Sequence, residues 1–275
     1  MRARLKQLGI AVVILATSLD IIPYSRAAST FNAESSVTQP EDTELDSGFP
    51  SIQGHLRQDL SDELLGNFNL FVYVDKAVAG PYAQRMFVFQ KSANGDLFPL
   101  YDWLVSTGRE AVETDSHGHL QSSRTPVGFF ELDPKRYYRT HTSFEWNEAM
   151  PYAMFFSWHP QRRETGLAIH GVDGPIADSL GHRASGGCIR LSTAHARILH
   201  DLIQLKYWGR VPALLYRNEP DEISSDGLLQ HDSTGRIKFE RGYSVLVVID
   251  DPGEQEQISS APTIPFHLPH SQAAE

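Results

Sequence analysis

The chain of 275 residues has one cysteine, Cys188. Without a second thiol it has no intramolecular disulfide, so Cys188 is either inert filling or a reactive group. Basic runs are missing as well. The formal charge is -10 and no Lys/Arg block interrupts the acidic balance, which removes nucleic acid and anionic lipid from the list of expected partners. No apolar run approaches the roughly 20 residues of a membrane-spanning helix. No segment repeats at the spacing of a solenoid or propeller. His117 and His119, and His195 and His200, form pairs without the third and fourth ligands that a zinc site requires, so neither a metal nor another cofactor is indicated.

What is present begins with a leader. Arg2, Arg4 and Lys6 precede the uncharged, mostly apolar stretch Leu8 to Leu19, and the small-residue pattern Ser25-Arg26-Ala27-Ala28 follows. This is the layout of a signal peptide over residues 1–27. It predicts a periplasmic or otherwise extracytoplasmic protein with no stable membrane span after cleavage. Residues 28–67 are polar and read as a linker with one short helix around Leu56 to Leu65.

The folded part is expected over 68–217. Seven runs rich in Val, Phe, Tyr, Leu and Ile, separated by turn formers, predict strands at Leu70 to Val74, Arg85 to Gln90, Phe98 to Val105, Val127 to Leu132, Ala153 to Trp158, Leu167 to Ile169 and Val211 to Tyr216. Asn94-Gly95-Asp96 predicts a hairpin turn. A single helix is expected after Ser192, with Ile198, Leu199, Leu202, Ile203 and Leu205 at helical spacing and an end near Gly209. Residues 218–275 read as an extension with one strand at 241–251 and a loose, proline-containing tail. The fold class is mostly β.

Cys188 lies in the run Ser185-Gly186-Gly187-Cys188-Ile189-Arg190-Leu191, just before that helix. Two glycines leave its backbone unshielded, so nearby amides can face a developing oxyanion. His170 ends the apolar run Gly166-Leu167-Ala168-Ile169 and is the natural partner for a thiol that must lose its proton. On spacing alone a buried cysteine beside a tight glycine turn remains open.

The surrounding residues carry a resemblance. His170-Gly171, then a loop, then Ser185-Gly186-Gly187-Cys188-Ile189-Arg190-Leu191 resembles the signature of the L,D-transpeptidase catalytic domain, the YkuD family of bacterial cell-wall enzymes. Ser106-Thr107-Gly108, Thr125-Pro126-Val127-Gly128-Phe129 and Met150-Pro151-Tyr152-Ala153 resemble its strand and groove segments, in order. The resemblance implies a β-sandwich with one helix after the cysteine loop. It also implies acyl transfer on peptidoglycan stem peptides. Cys188 is then the nucleophile and His170 the base, the backbone N–H groups of Cys188 and Gly187 hold the oxyanion, and Gly187, Arg190, Ser185, Gly171 and Tyr152 are oxyanion or substrate-binding positions. The acceptor is a second stem peptide, a wall-anchored lipoprotein or water. A hydrolytic carboxypeptidase or endopeptidase of the same fold, and a non-catalytic wall-binding module, are the alternatives. One position departs from the pattern: Gly186 stands where many family members carry a histidine.

Overall fold

A computed structural model describes residues 48–157, 165–216 and 224–252. The expected leader, most of the expected linker, Trp158 and the expected proline-containing tail lie outside the described residues. Among the described residues no helix is long and apolar enough to cross a membrane.

The fold is mostly β. A central sheet is built on β1 (Leu70–Asp75), β2 (Arg85–Lys91) and β3 (Leu97–Leu104), with β6 (Gly128–Phe130), β12 (Leu214–Tyr216), β13 (Ser225–Leu229) and β15 (Val245–Asp250). Its order is β12-β13-β6-β15-β1-β2-β3. A second sheet, β10-β9-β8-β7, uses β7 (Leu132–Tyr138), β8 (Ala153–Phe156), β9 (Ala168–Val172) and β10 (Ile189–Ser192). Two small pairs complete it: β4 (Val112–Thr114) with β5 (Leu120–Ser122), and β11 (Trp208–Pro212) with β14 (Phe239–Tyr243).

All six residues of β1 are buried, because both faces of the central sheet are covered and alternation has no solvent side to report. Leu70, Val72 and Val74 join Val245, Val247 and Ile249 in a core shared with Phe156, Ile169 and Ile189 of the second sheet. Phe71 and Tyr73 face the other way, packing with Phe87, Phe89, Leu246 and Val248 under Ile52, Leu56 and Leu64.

Those last three residues revise the expected linker. Residues 48–67 fold as α1 (Phe49–Asp59) and α2 (Asp62–Asn67). The Ser61 hydroxyl accepts from Leu64 N at 3.3 Å and caps α2,. Ile52, Leu56, Leu60 and Leu64 recur every four residues, a narrow stripe inside a polar segment, and all four are buried,. The short helix expected around Leu56 to Leu65 is thus two helices, divided at Leu60 and Ser61. The third, α3 (Thr193–Lys206), starts where expected, with Ser192 Oγ accepting from His195 N. It stops three residues short of Gly209 because β11 begins at Trp208.

The C-terminal segment is likewise no appendage. β15 sits between β6 and β1, parallel to β1 with Leu70 opposite Val245, and β13 joins β12 to β6. Its five successive buried residues, Val245 to Ile249, are what a strand at the centre of a covered sheet requires. The expected run Val211 to Tyr216 divides between β11 and β12, which belong to different sheets.

Candidate active site

The cleft forms where β9 and β10 lie side by side. They run parallel, with Arg190 opposite His170 and Ile189 opposite Ile169. Parallel neighbours need a crossover, and the loop from Asp173 to Gly187 supplies it. Cys188 is the last residue before β10, so the pairing that aligns Arg190 with His170 also brings the thiol to the same end of the sheet. Gly171 makes room for α3 behind it: a β-carbon there would stand 2.8 Å from Thr193 Cα.

Ser185 is spent on the shape of the loop. Fully buried, it donates from Oγ to the Cys188 carbonyl at 2.5 Å and accepts from Gly187 N at 3.0 Å, a local hydroxyl-to-backbone turn. That second bond corrects the expectation that the Gly187 N–H faces an oxyanion, because the donor is already used. Gly187 has φ +117, where a β-carbon would also meet Leu167 Cδ2 at 2.9 Å and Arg124 O at 3.0 Å, so glycine is required.

His170 is 2% exposed. Its Nδ1 bonds to the Gly171 carbonyl at 2.9 Å. A carbonyl only accepts, so Nδ1 carries the hydrogen and Nε2 holds a free lone pair. Gly171, expected near substrate, therefore serves through its carbonyl. Burial first, then the charges of Arg190 and His141, push the His170 pKa down to about 4 against the opposing bond to Gly171. The Cys188 thiol donates to Gly166 O at 3.6 Å. Burial pushes it up to about 11, with Glu148 and Glu145 in the same direction, against the Ala168 backbone and the Arg190 charge. Cys188 keeps partial solvent contact, which tempers the shift without changing its sign. Thiol and imidazole are both neutral at rest.

Arg190 bonds inside the protein. Its Nη2 pairs with Glu148 and its Nη1 donates to Ala184 O at 3.1 Å. Among the described residues, Arg190 Nε and Glu148 Oε1 are buried without a partner. Its charge is felt in the cleft while its hydrogen bonds hold the loop, which leaves a substrate-carboxylate contact without visible support. Tyr152 does not line the cleft. With φ +55 its N–H bonds to Arg139 O, and its ring turns onto His200 at 5.5 Å. From that segment Met150 reaches the cleft instead.

The cleft itself encloses about 300 Å3 and brings together Cys188, His170, Arg190, Gly186, Gly166 and Leu167 with Arg124, Ser143, Glu145, Trp146, Glu148 and Met150. Trp146, Glu145 and Glu148 carry no motif and come from a loop pinned by Ser143 N to Glu148 O and by Ser116 N to Glu145 O. Trp146 explains Gly186. A β-carbon at 186 would lie 2.5 Å from Trp146 Nε1 and 2.6 Å from Cε2, so the indole occupies the volume a side chain would need. The Arg109 guanidinium sits 5.5 Å from the same ring and donates to Ala184 O. Gly186→Ala is accordingly expected to destabilise by about 1–3 kcal/mol through overpacking, and Trp146→Ala in the same chain is expected to relieve most of it. Thermal midpoints of both single variants and the double variant check this, and additive losses would contradict the packing.

The family model for the L,D-transpeptidase catalytic domain, YkuD, matches residues 74–217, just over half the chain. No curated protein matches. Among solved structures, the L,D-transpeptidase LdtMt1 in complex with imipenem is 15% identical, with 66% of this chain and 59% of that one covered and a TM-score of 0.38. An L,D-transpeptidase from Xylanimonas cellulosilytica is 16% identical over 67% and 61%, with a TM-score of 0.36. The helical cell shape determining protein Pgp2 from Campylobacter jejuni is 15% identical over 69% and 55%, at 0.34. The chain thus spans about 60% or less of the length of these structures, and at such scores they mark only a distant likeness.

Proposed function

The chain belongs to the YkuD family of L,D-transpeptidase catalytic domains, and on that premise we propose that it is an extracytoplasmic cysteine acyltransferase acting on peptidoglycan stem peptides. The observation that carries this reading is a buried imidazole with Nε2 free, lining the same cleft as the only thiol in the sequence.

In the proposed reaction Cys188 Sγ attacks the carbonyl of the L-centre of diaminopimelate in a donor tetrapeptide. The thiol proton passes to His170 Nε2 and the carbonyl π pair moves to oxygen. Collapse breaks the C–N bond, the terminal D-alanine leaves with the proton from His170, and a thioester remains. An acceptor amine then attacks the thioester, His170 takes its proton, and the thiol is restored. With both groups neutral at rest, His170 acts as a general base during attack rather than as one half of a standing ion pair. The leader-like N-terminus supports an extracytoplasmic site of action.

Incubating the full chain with tetrapeptide-rich muropeptides tests the reading. Cross-linked dimers with released D-alanine are expected. Tripeptides without dimers would make water the acceptor and the protein a carboxypeptidase, loss of existing cross-links would make it an endopeptidase, and transfer to a lipoprotein lysine would name an anchoring enzyme. Unchanged muropeptides would sink the proposal.

A further inference from the structure

Thr125 has every polar group committed, and its hydroxyl bonds to the peptide that precedes the nucleophile. It is fully buried behind the cysteine loop. Its Oγ1 accepts from Gly108 N at 2.8 Å and donates to Gly187 O at 2.6 Å. Because the Gly108 N–H can only donate, the hydroxyl hydrogen is directed to Gly187. The Thr125 backbone is held just as firmly. Its N–H donates to Glu110 Oε1 at 3.1 Å, and its carbonyl accepts from Lys76 Nζ at 2.7 Å. Lys76, 2% exposed, closes the triangle by donating to Glu110 Oε1 at 2.9 Å.

Gly187 C=O and Cys188 N–H belong to one planar trans peptide, so they point in opposite directions. With the carbonyl held toward Thr125, the Cys188 N–H points the opposite way, away from Thr125. That N–H has no hydrogen-bond partner among the described residues, whereas the neighbouring Gly187 N–H is taken by Ser185. We infer that Thr125, braced by the buried Lys76–Glu110 pair, is the positioning residue that aims the Cys188 amide at the oxyanion formed when the thiol attacks.

This inference rests on the acyl-transfer reading above, and its test separates the two. Acylation needs the oxyanion donor, whereas alkylation of the same thiol by iodoacetamide passes through no oxyanion. Acylation of the full chain by a carbapenem is followed by intact mass, alongside the alkylation rate at the same pH. Thr125→Val is expected to slow acylation about a hundredfold, the effect of losing one oxyanion donor, and to leave alkylation within about threefold. Thr125→Ser keeps the hydroxyl and is expected to restore most of the acylation rate. Thr125→Ala loses the same hydroxyl with a smaller steric change and gives the same answer if valine disturbs folding. Unchanged acylation in the valine and alanine variants, parallel loss of alkylation, or failure of serine to rescue would overturn the assignment of Thr125 alone. An unaltered protein that is alkylated but never acylated would overturn the acyl-transfer reading and take this inference with it.

Discussion

Cys188→Ala protein is expected to form no covalent adduct with a carbapenem, while the unaltered chain gains the mass of one opened carbapenem. The sequence has no other thiol, so no neighbouring cysteine can substitute. Loss of a nucleophile in a hydrolase site costs on the order of a millionfold, enough to drop turnover below detection. The fold is not expected to suffer. Cys188 is only a peripheral member of the small cluster Met150, Ala153, Phe155 and Ala168, and its thiol makes only weak contacts, a long one to Gly166 O and one to the Ala168 backbone. An alanine variant with an unchanged thermal midpoint and no adduct separates chemistry from folding. Persistent acylation would move the nucleophile elsewhere.

His170→Ala is expected to slow acylation at pH 7 by about 10^2–10^4-fold, the usual contribution of a positioned base. The pH dependence is the sharper result. In the unaltered chain His170, with its pKa near 4, remains a neutral base well below the ordinary imidazole range. Its acylation rate is therefore expected to hold level down to about pH 5 and fall only as the pH approaches 4. The variant has no base and depends on free thiolate. With the thiol near 11, that is about one molecule in ten thousand at pH 7, so its rate should climb roughly tenfold per pH unit toward 11 and narrow the gap. An acid limb near 6.5 in the unaltered chain, or a variant rate independent of pH, would contradict the neutral pair. The same burial affects stability. Between 6.5 and 4 the unfolded chain binds a proton at His170 that the folded chain refuses, so stability falls as pH drops through that window. The acid limb must therefore be read on protein shown to be folded.

The two central residues were legible because their signals are local. Cys188 sits beside Gly186 and Gly187, and His170 ends a short apolar run, so neighbours within a few positions define each. Helix α3 was legible for the same reason, with its cap and stripe inside one segment. Residues that act through distant partners were not. Trp146, Glu145 and Glu148 reach the cleft from a loop without periodicity, held by bonds to Ser143 and Ser116. Gly186 was the one available signal, since a missing side chain implies that something else fills its place.

Thr125 belonged to a recognisable segment, but its bearing on Gly187 depends on a bond across 62 positions. Tyr152 was expected at the site through the resemblance of Met150-Pro151-Tyr152-Ala153 to a groove segment, but a residue with φ +55 turns its ring onto His200 and leaves Met150 to reach the cleft. The helical character of 49–67 was only partly legible: one short helix was expected around Leu56 to Leu65, whereas the chain forms α1 and α2 on either side of Leu60 and Ser61. β15 was found as a strand, but its place at the centre of the sheet follows from pairing with β1, some 175 positions away.

The most direct test of the account is a trapped intermediate. The full chain is mixed with a stem tetrapeptide donor, quenched in acid within the first turnover, digested and read by peptide mass spectrometry. The expected result is a tripeptide acyl group on the fragment containing Cys188, matched by an equal amount of free D-alanine. Release of D-alanine with residue 188 unmodified at every time point, and with Cys188→Ala protein equally active, would contradict it.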